Sequence, residues 1–169
     1  MTKNKTVKVG DKIVKFSKVY KVIKIENRKS EEKQEKIILF IPYFAAKYKK
    51  ALVFSIPEEN LDKASIRWPI TKKELKELLL KLKKKPEEKI PLSINEAKEV
   101  LHKNDPENNV AILKRLWAEK HKKSANFSKS KQDILAIALE RLVEEIALVS
   151  GCSLIKAQEK IQTALEKKN

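Results

Sequence analysis

The spacing of apolar residues changes partway along this chain, and that change limits the possible folds more than any other feature. Between residues 7 and 67 apolar and charged residues alternate, which is typical of half-buried strands. Between residues 71 and 166 apolar residues recur every three or four positions, which is typical of amphipathic helices. The sequence therefore predicts an α+β protein, with a β module at residues 1–69 followed by a helical module at residues 70–169.

The β module contains five short segments with the composition of strands. They are residues 13–16, 19–25, 37–41, 51–56 and 64–68. Residues 26–36 are all polar or charged and supply no apolar side chain to a core, so an exposed hairpin loop is predicted there. Five short strands in a module of about 60 residues favour a small closed or half-closed β-barrel, because closure removes exposed sheet edges.

The helical module contains signals for about five short helices. Each helix follows a residue that is able to cap its first turn: Thr71 with Glu74, Ser93 with Glu96, Asp105 before Pro106, Ser128 or Ser130, and Ser153. Gly151 stands where a left-handed helix end is predicted. The apolar faces are broad and the helices short, which favours a compact all-α domain over a coiled coil.

Positive charge is abundant and concentrated in one segment. The chain has 39 Lys and Arg against 23 Asp and Glu, a net charge of +16, which favours nucleic acid or an acidic protein as the partner. Between residues 114 and 131 the only acidic residue is Glu119, whereas the basic residues there are Lys114, Arg115, Lys120, Lys122, Lys123, Lys129 and Lys131. Such clustering favours phosphate binding with release of counterions. A solvated lysine-rich surface is the alternative interpretation.

The sequence shows no pattern of catalytic or metal-binding residues. His102 and His121 have no cysteine or carboxylate at a metal-ligand spacing, and Cys152 is interpreted as a buried small residue or, alternatively, a reactive thiol. The pair Glu144 and Glu145 is predicted to lie on a helix surface. With only two glycines, the chain lacks a Gly-rich phosphate loop. We therefore predict a binding protein that is not an enzyme and needs no cofactor or metal.

The apolar segments are too short to predict a membrane span. Lys or Glu interrupts each of them well before the roughly 20 residues that a bilayer requires. The first residues, Met-Thr-Lys-Asn-Lys, lack the apolar centre of a signal peptide. The sequence therefore predicts a cytoplasmic protein without membrane contact, and we expect a monomer.

Several segments, in order along the chain, resemble the CarD/CdnL family of bacterial transcription regulators. The first domain of that family is shared with the polymerase-interacting domain of the transcription-repair coupling factor. Residues Val7–Val14, Val22–Glu26 and Ile56–Arg67 are similar to its opening strand, second strand and closing segment. Residues Val110–Trp117 resemble a family helix that ends in Asp-Leu-Trp, and Phe127–Leu148 resembles its long helix.

The resemblance implies a small Tudor-like or SH3-like barrel that docks on the β subunit of RNA polymerase. It also implies a helical domain that contacts DNA at the upstream edge of the transcription bubble. By position, the polymerase-binding residues are Arg28, Val53, Phe54, Ser55 and Ile56, where Ser55 replaces a basic residue of the family. Leu92 lies nearest to the tryptophan that many members insert into the minor groove, and leucine is also able to insert between base steps.

These observations lead to one principal hypothesis and two alternatives. The principal hypothesis is a transcription regulator that binds RNA polymerase and contacts promoter DNA without reading its sequence, because tethering raises the local concentration of the basic domain. Its DNA contacts are predicted at Leu92, Lys98 and the basic residues between 114 and 131. The first alternative is a protein-protein adaptor with a solvated lysine-rich surface. The second is an RNA-binding factor that stacks bases on aromatic residues such as Tyr20 or Tyr48.

Overall fold

The computed structural model describes residues 6–29, 34–44, 52–86, 93–121 and 127–166. Within these residues the chain forms one four-stranded antiparallel sheet and five α-helices. The chain divides into two compact units: the sheet unit, residues 1–69, and the helical unit, residues 70–169. The predicted α+β class and the five predicted helices are confirmed for the described residues.

The sheet unit is an antiparallel meander in which each strand pairs with the next. Its strands are β1 (Lys12–Lys15), β2 (Lys18–Lys29), β3 (Gln34–Pro42) and β4 (Phe54–Pro57). Between β1 and β2, Phe16 and Ser17 both have positive φ, at 48° and 62°. Positive φ at both central residues is the pattern of a type I′ turn, whose twist matches that of the flanking strands.

The predicted five-stranded barrel is wrong. Only Arg67 of the segment 64–68 joins the sheet, through hydrogen bonds of 2.8 and 3.0 Å that its backbone exchanges with Val14. A 3₁₀ turn at Glu58–Asn60 follows β4, and Ser65 has a positive φ of 53°, which interrupts an extended backbone. Ile66 then packs into the core. In the described residues the sheet is therefore open, because this segment covers it instead of closing it.

The predicted exposed loop at residues 26–36 is also wrong over most of its length. β2 continues to Lys29 and β3 begins at Gln34, with Arg28 opposite Glu35 and Asn27 opposite Lys36. The side chains here remain largely in solvent, so apolar spacing does not reveal the strands. Cross-strand backbone hydrogen bonds and pairs of opposite charge hold the ribbon together instead.

One apolar cluster forms the core of the sheet unit, and it includes residues from both ends of the unit. Its buried members are Val7, Ile13, Val22, Ile38, Phe40, Ile56, Leu61 and Ile66. Trp68 is half-buried and packs against this cluster. The residues that follow β4 thus cover the sheet with side chains rather than with a strand.

The five helices begin where their capping residues predict. They are α1 (Lys72–Lys83), α2 (Ile94–His102), α3 (Pro106–Lys120), α4 (Lys129–Ser150) and α5 (Leu154–Glu166). Both capping boxes form, since Thr71 and Ser93 accept hydrogen bonds from the backbone of Glu74 and Glu96, whose carboxylates accept in return. Ser128, and not Ser130, caps α4.

Gly151 ends α4 in the left-handed conformation, with φ 62° and ψ 37°. Its N–H donates to Leu148 O at 3.3 Å, and the N–H of Cys152 donates to Ala147 O at 3.1 Å. This pair of bonds is the Schellman motif, which satisfies carbonyl groups that the helix itself leaves unbonded. Ser153 then accepts a hydrogen bond from Lys156 N at 3.2 Å and so starts α5.

Helix α4 is the centre of the helical unit, because it contacts each of the other four helices. Its buried apolar face includes Ile134, Ala138, Leu142 and Ile146 at intervals of four residues. The guanidinium group of Arg141 also donates to the carbonyl of Leu101, near the end of α2. Burial lowers the pKa of Arg141, and the neighbouring charge of Glu140 opposes that shift.

Glu145 of α4 is buried, contrary to the predicted surface position. Its side chain is 1% exposed, and Oε1 accepts a hydrogen bond of 2.8 Å from the backbone N–H of Ile70. Ile70 directly precedes Thr71, the capping residue of α1. The carboxylate therefore holds the start of α1 against the middle of the helical unit.

We expect Glu145→Ala to lower the free energy of unfolding of the helical unit by about 1–3 kcal/mol, because it leaves the part-buried N–H of Ile70 without its acceptor. Urea unfolding followed by circular dichroism at the helix band measures this loss. Glu99→Ala is the control, since Glu99 is exposed on α2 and its removal should change stability by less than about 0.5 kcal/mol. Equal effects of both substitutions would contradict the assigned role of Glu145.

Candidate protein and nucleic-acid interfaces

Strand β4 lies at the edge of the sheet and presents apolar side chains beside that edge. Among the described residues it pairs with β3 and with no other strand. Leu52 and Val53, directly before β4, are both exposed. An edge strand offers backbone hydrogen-bonding groups to an added strand, and exposed apolar neighbours add area to bury. This surface, Leu52–Pro57, is named the β4 edge below.

The predicted polymerase-binding residues of β4 separate into exposed and structural positions. Ser55 is exposed like Val53, whereas Ile56 is buried in the core of the sheet unit. The Phe54 ring stacks on Phe40 with 5.7 Å between ring centroids, and the Tyr20 ring packs edge-on at 5.5 Å. Phe54 and Tyr20 thus support the sheet, although Phe54 remains 37% exposed. The other aromatic residue of the RNA-binding hypothesis, Tyr48, lies outside the described residues.

Arg28 lies far along the sheet from the Val53 end of the β4 edge, although the other end, Pro57, pairs with Ile37 only two positions from Glu35. It pairs with Glu35 near the tip of the β2–β3 hairpin, whereas Phe54 pairs with Phe40. Their partners on β3, Glu35 and Phe40, are five positions apart, which at roughly 3.3 Å per residue is about 17 Å. A single partner would touch both Arg28 and Val53 only across a surface as wide as a protein interface.

The hairpin around Arg28 carries charges of both signs. Lys24 Nζ is 2.7 Å from Glu26 Oε1, and Arg28 Nε is 3.9 Å from Glu26 Oε2. The hydrogen bond and charge of Lys24 lower the pKa of the Glu26 carboxyl, with a smaller contribution from Arg28. Arg28 therefore extends from a mixed-charge ribbon and not from a basic patch.

Six of the nine predicted DNA-binding residues lie among the described residues, and they occupy three helices. The other three, Leu92, Lys122 and Lys123, lie outside the described residues. Lys98 of α2, Lys120 of α3 and Lys129 of α4 are exposed. These three exposed lysines are available to phosphate groups from solvent.

Arg115 and Lys131 face acidic groups of the same unit. The Lys131 ammonium contacts the Glu119 carboxylate and so joins the start of α4 to the end of α3. The backbone N–H and the hydroxyl of Ser93 lower the pKa of the Glu96 carboxyl, with a smaller contribution from the charge of Arg115. Part of the predicted cluster is thus neutralised within the protein.

Lys114 faces a different part of the unit, a pocket of about 300 Å³ between the ends of α1, α3 and α5. Lys83, Lys84 and Lys85 line the same pocket from the end of α1. These three lysines directly precede Pro86 and are not among the predicted DNA-binding residues, since the predicted basic cluster spans only residues 114–131. The structure therefore separates Lys114 from Arg115 and groups Lys114 with lysines 29 to 31 positions earlier.

Trp117 is half-buried and forms one wall of this pocket. The ring of His121 lies beside the indole, with 4.7 Å between centroids and an interplanar angle of 34°. His121 Nδ1 is 2.8 Å from the carbonyl oxygen of Trp117, which places a ring N–H donor on the end of α3. The arrangement holds two aromatic rings side by side among lysines.

No protein-family model matches this chain, and no curated protein matches it significantly in sequence. The resemblance to the CarD/CdnL family therefore stays a prediction. In the described part of the chain, none of the helices has the length and apolar character that crossing a membrane requires. Those same residues contain no group of three or more His, Cys, Asp or Glu side chains placed to hold a metal ion.

We expect Phe54→Ala to destabilise the sheet unit by about 1–2 kcal/mol, because it removes ring contacts with Phe40 and Tyr20. Val53→Ala should change stability by less than about 0.5 kcal/mol, since that side chain lies in solvent. The measurement is urea unfolding followed by the NMR signals of the Ile13 and Ile38 methyl groups. If Val53→Ala destabilises the unit as much as Phe54→Ala, the division between structural and exposed positions is wrong.

Proposed function

We propose that this protein is a non-enzymatic transcription regulator. Its sheet unit docks on the β subunit of RNA polymerase through the β4 edge, and its helical unit contacts promoter DNA without reading the sequence. The observation that carries the proposal is the β4 edge itself, an edge strand with Leu52 and Val53 exposed beside it. The identity of the partner rests on the resemblance of Val7–Val14 and Ile56–Arg67 to the CarD/CdnL family.

Docking through an edge strand uses two kinds of interaction. The backbone of β4 supplies hydrogen bonds to a strand of the partner, and these bonds do not depend on side-chain identity. Leu52 and Val53 supply apolar area, which contributes roughly 25 cal/mol for each Å² removed from water. Ser55 carries no charge, so this docking relies on shape and apolar contact more than on electrostatic attraction.

Contact with DNA relies on the exposed lysines of the helical unit. Lys98, Lys120 and Lys129 are exposed, and each phosphate they neutralise releases condensed counterions. Such binding is weak and strongly dependent on salt when the protein is alone in solution. Attachment to RNA polymerase raises the concentration of these lysines near promoter DNA, which makes weak contacts effective.

The second candidate function is a protein-protein adaptor. It is favoured by the contact between Lys131 and Glu119, since that ion pair reduces the charge available to DNA. In this function the β4 edge binds a different protein, and the remaining lysines keep the surface solvated. Binding to the polymerase β subunit and the lifetime of the open promoter complex distinguish the two functions.

We expect the double substitution Leu52→Asp, Val53→Asp to weaken binding of the full chain to purified polymerase β subunit by about tenfold or more, because it places charge in an apolar contact. The matched control is Ile155→Asp with Leu80→Asp. Ile155 and Leu80 are 72% and 57% exposed, close to the 71% and 56% of Leu52 and Val53. Biolayer interferometry measures the dissociation constant. Absence of binding by the unmodified chain would exclude the proposed partner, and equal losses in both variants would exclude the β4 edge.

We expect the triple substitution of Lys98, Lys120 and Lys129 by Gln to shorten the lifetime of the open promoter complex while polymerase binding stays unchanged. The slope of duplex-DNA affinity against salt should fall by about 0.9 for each lost phosphate contact. The control replaces Lys72, Lys73 and Lys76 by Gln, which removes the same charge from an exposed face of α1. A lifetime that is the same in both variants would favour the adaptor.

A further inference from the structure

We propose that the pocket between the ends of α1, α3 and α5 binds a free nucleoside polyphosphate. The base would stack on Trp117, and the phosphates would contact the lysines at the end of α1 together with Lys114. The pocket, defined by these groups, is named the Trp117 pocket below. This inference is independent of the proposed function, because it requires neither polymerase nor DNA.

The charge of the Trp117 pocket selects an anion. Among the described residues that line the pocket, four are lysines, Lys83, Lys84, Lys85 and Lys114, and one is acidic, Glu166. Three helices also end there, and the C-terminus of each carries about half a negative charge. Together these ends offset about half of the pocket's formal excess of three positive charges. A net positive charge remains, which disfavours a cation and suits a ligand with several negative charges.

The aromatic wall of the pocket selects a planar group. Trp117 is half-buried in the pocket wall, and His121 is held beside it by its hydrogen bond to the Trp117 carbonyl at 2.8 Å. Because these rings are already positioned, a stacking ligand orders little of the protein when it binds. Stacking on an aromatic side chain tolerates any nucleobase, since every base has a π face.

The size of the pocket limits the ligand to one nucleotide. Its volume of about 300 Å³ is at the lower end of the range for small-molecule sites. This space accommodates one base-sized group and excludes a duplex. Lys84 and Lys85 lie beyond the last residue of α1, and both are exposed. They are therefore able to follow a phosphate chain that extends from the pocket into solvent.

Each half of the site selects against simpler ligands. An inorganic polyphosphate would use the lysines and leave the indole without a ligand, whereas an uncharged aromatic compound would leave the lysines without a counterion. A compound with a planar ring joined to a chain of phosphates uses both walls. Nucleoside triphosphates and related polyphosphates belong to this chemical class.

The test uses the full chain carrying Trp68→Phe, which leaves Trp117 as the only tryptophan of the two in the sequence. ATP, adenosine and tripolyphosphate are each titrated at physiological salt while Trp117 emission is recorded. ATP should give a saturable change, and tripolyphosphate should displace ATP without a comparable change of its own. Adenosine should bind about tenfold or more weaker than ATP, because it lacks charge-assisted contacts.

Matched lysine variants separate the Trp117 pocket from general charge. Lys84→Gln with Lys114→Gln should weaken ATP binding by about tenfold or more, because both ammonium groups line the pocket. Lys72→Gln with Lys73→Gln, at the opposite end of α1, should stay within about twofold of the unmodified chain. Circular dichroism confirms that the variants remain folded, and competition by tripolyphosphate tests the site without any lysine substitution.

Three outcomes would overturn the proposal. The first is the absence of a saturable change in Trp117 emission with ATP. The second is an equal loss of ATP binding in both lysine pairs, which would indicate general charge attraction. The third is preferential binding of a short 5′-phosphorylated single-stranded oligonucleotide over ATP, which would assign the pocket to nucleic-acid ends instead of a free nucleotide.

Discussion

The hydrogen bond from the Ile70 backbone to the buried carboxyl group of Glu145 holds the residue before the Thr71 cap of α1 against the central helix α4. A polar group in a protein interior is costly unless it is hydrogen-bonded, so this contact is a constraint on the packing around it. The buried face of α1, formed by Leu75, Leu78 and Leu82, then sets the direction in which the helix continues. The lysines at the other end of α1 thereby line the same pocket as Lys114 and Trp117.

Helix packing, more than attraction between charges, decides how the basic residues are distributed. Exposed ion pairs such as the one between Lys81 and Glu107 contribute at most about 1 kcal/mol, whereas burial of a leucine side chain contributes about 1.5–3 kcal/mol. The apolar face of α3 therefore fixes its rotation, and Lys114 and Arg115 follow on opposite flanks of that face. The basic segment 114–131 is consequently divided between two surfaces. On one of them Lys131 is paired with Glu119, and on the other Lys114 lines the Trp117 pocket.

Local features of the fold were predictable, and long-range features were not. Thr71, Ser93 and Ser128 identified the helix starts, since a cap joins residues only two or three positions apart. The prediction of a fifth strand was wrong because the positive φ of Ser65 interrupts the segment, and a serine in the sequence gives no sign of positive φ. Val53 is exposed at the β4 edge, and its place in an interface stays a prediction. The grouping of Lys83–Lys85 with Lys114 was not predictable, because it requires three packed helices.

The sequence by itself determined the change from strands to helices, the helix starts and the excess of positive charge. These properties come from the spacing of apolar residues and from caps, which involve residues only a few positions apart, and from composition, which does not depend on residue order. Only the tertiary structure decided that the sheet stays open, that Glu145 is buried and that Lys114 faces a pocket. The physical reason is distance along the chain: Ile70 and Glu145 are 75 positions apart, and periodicity over a few residues carries no information about such a pair.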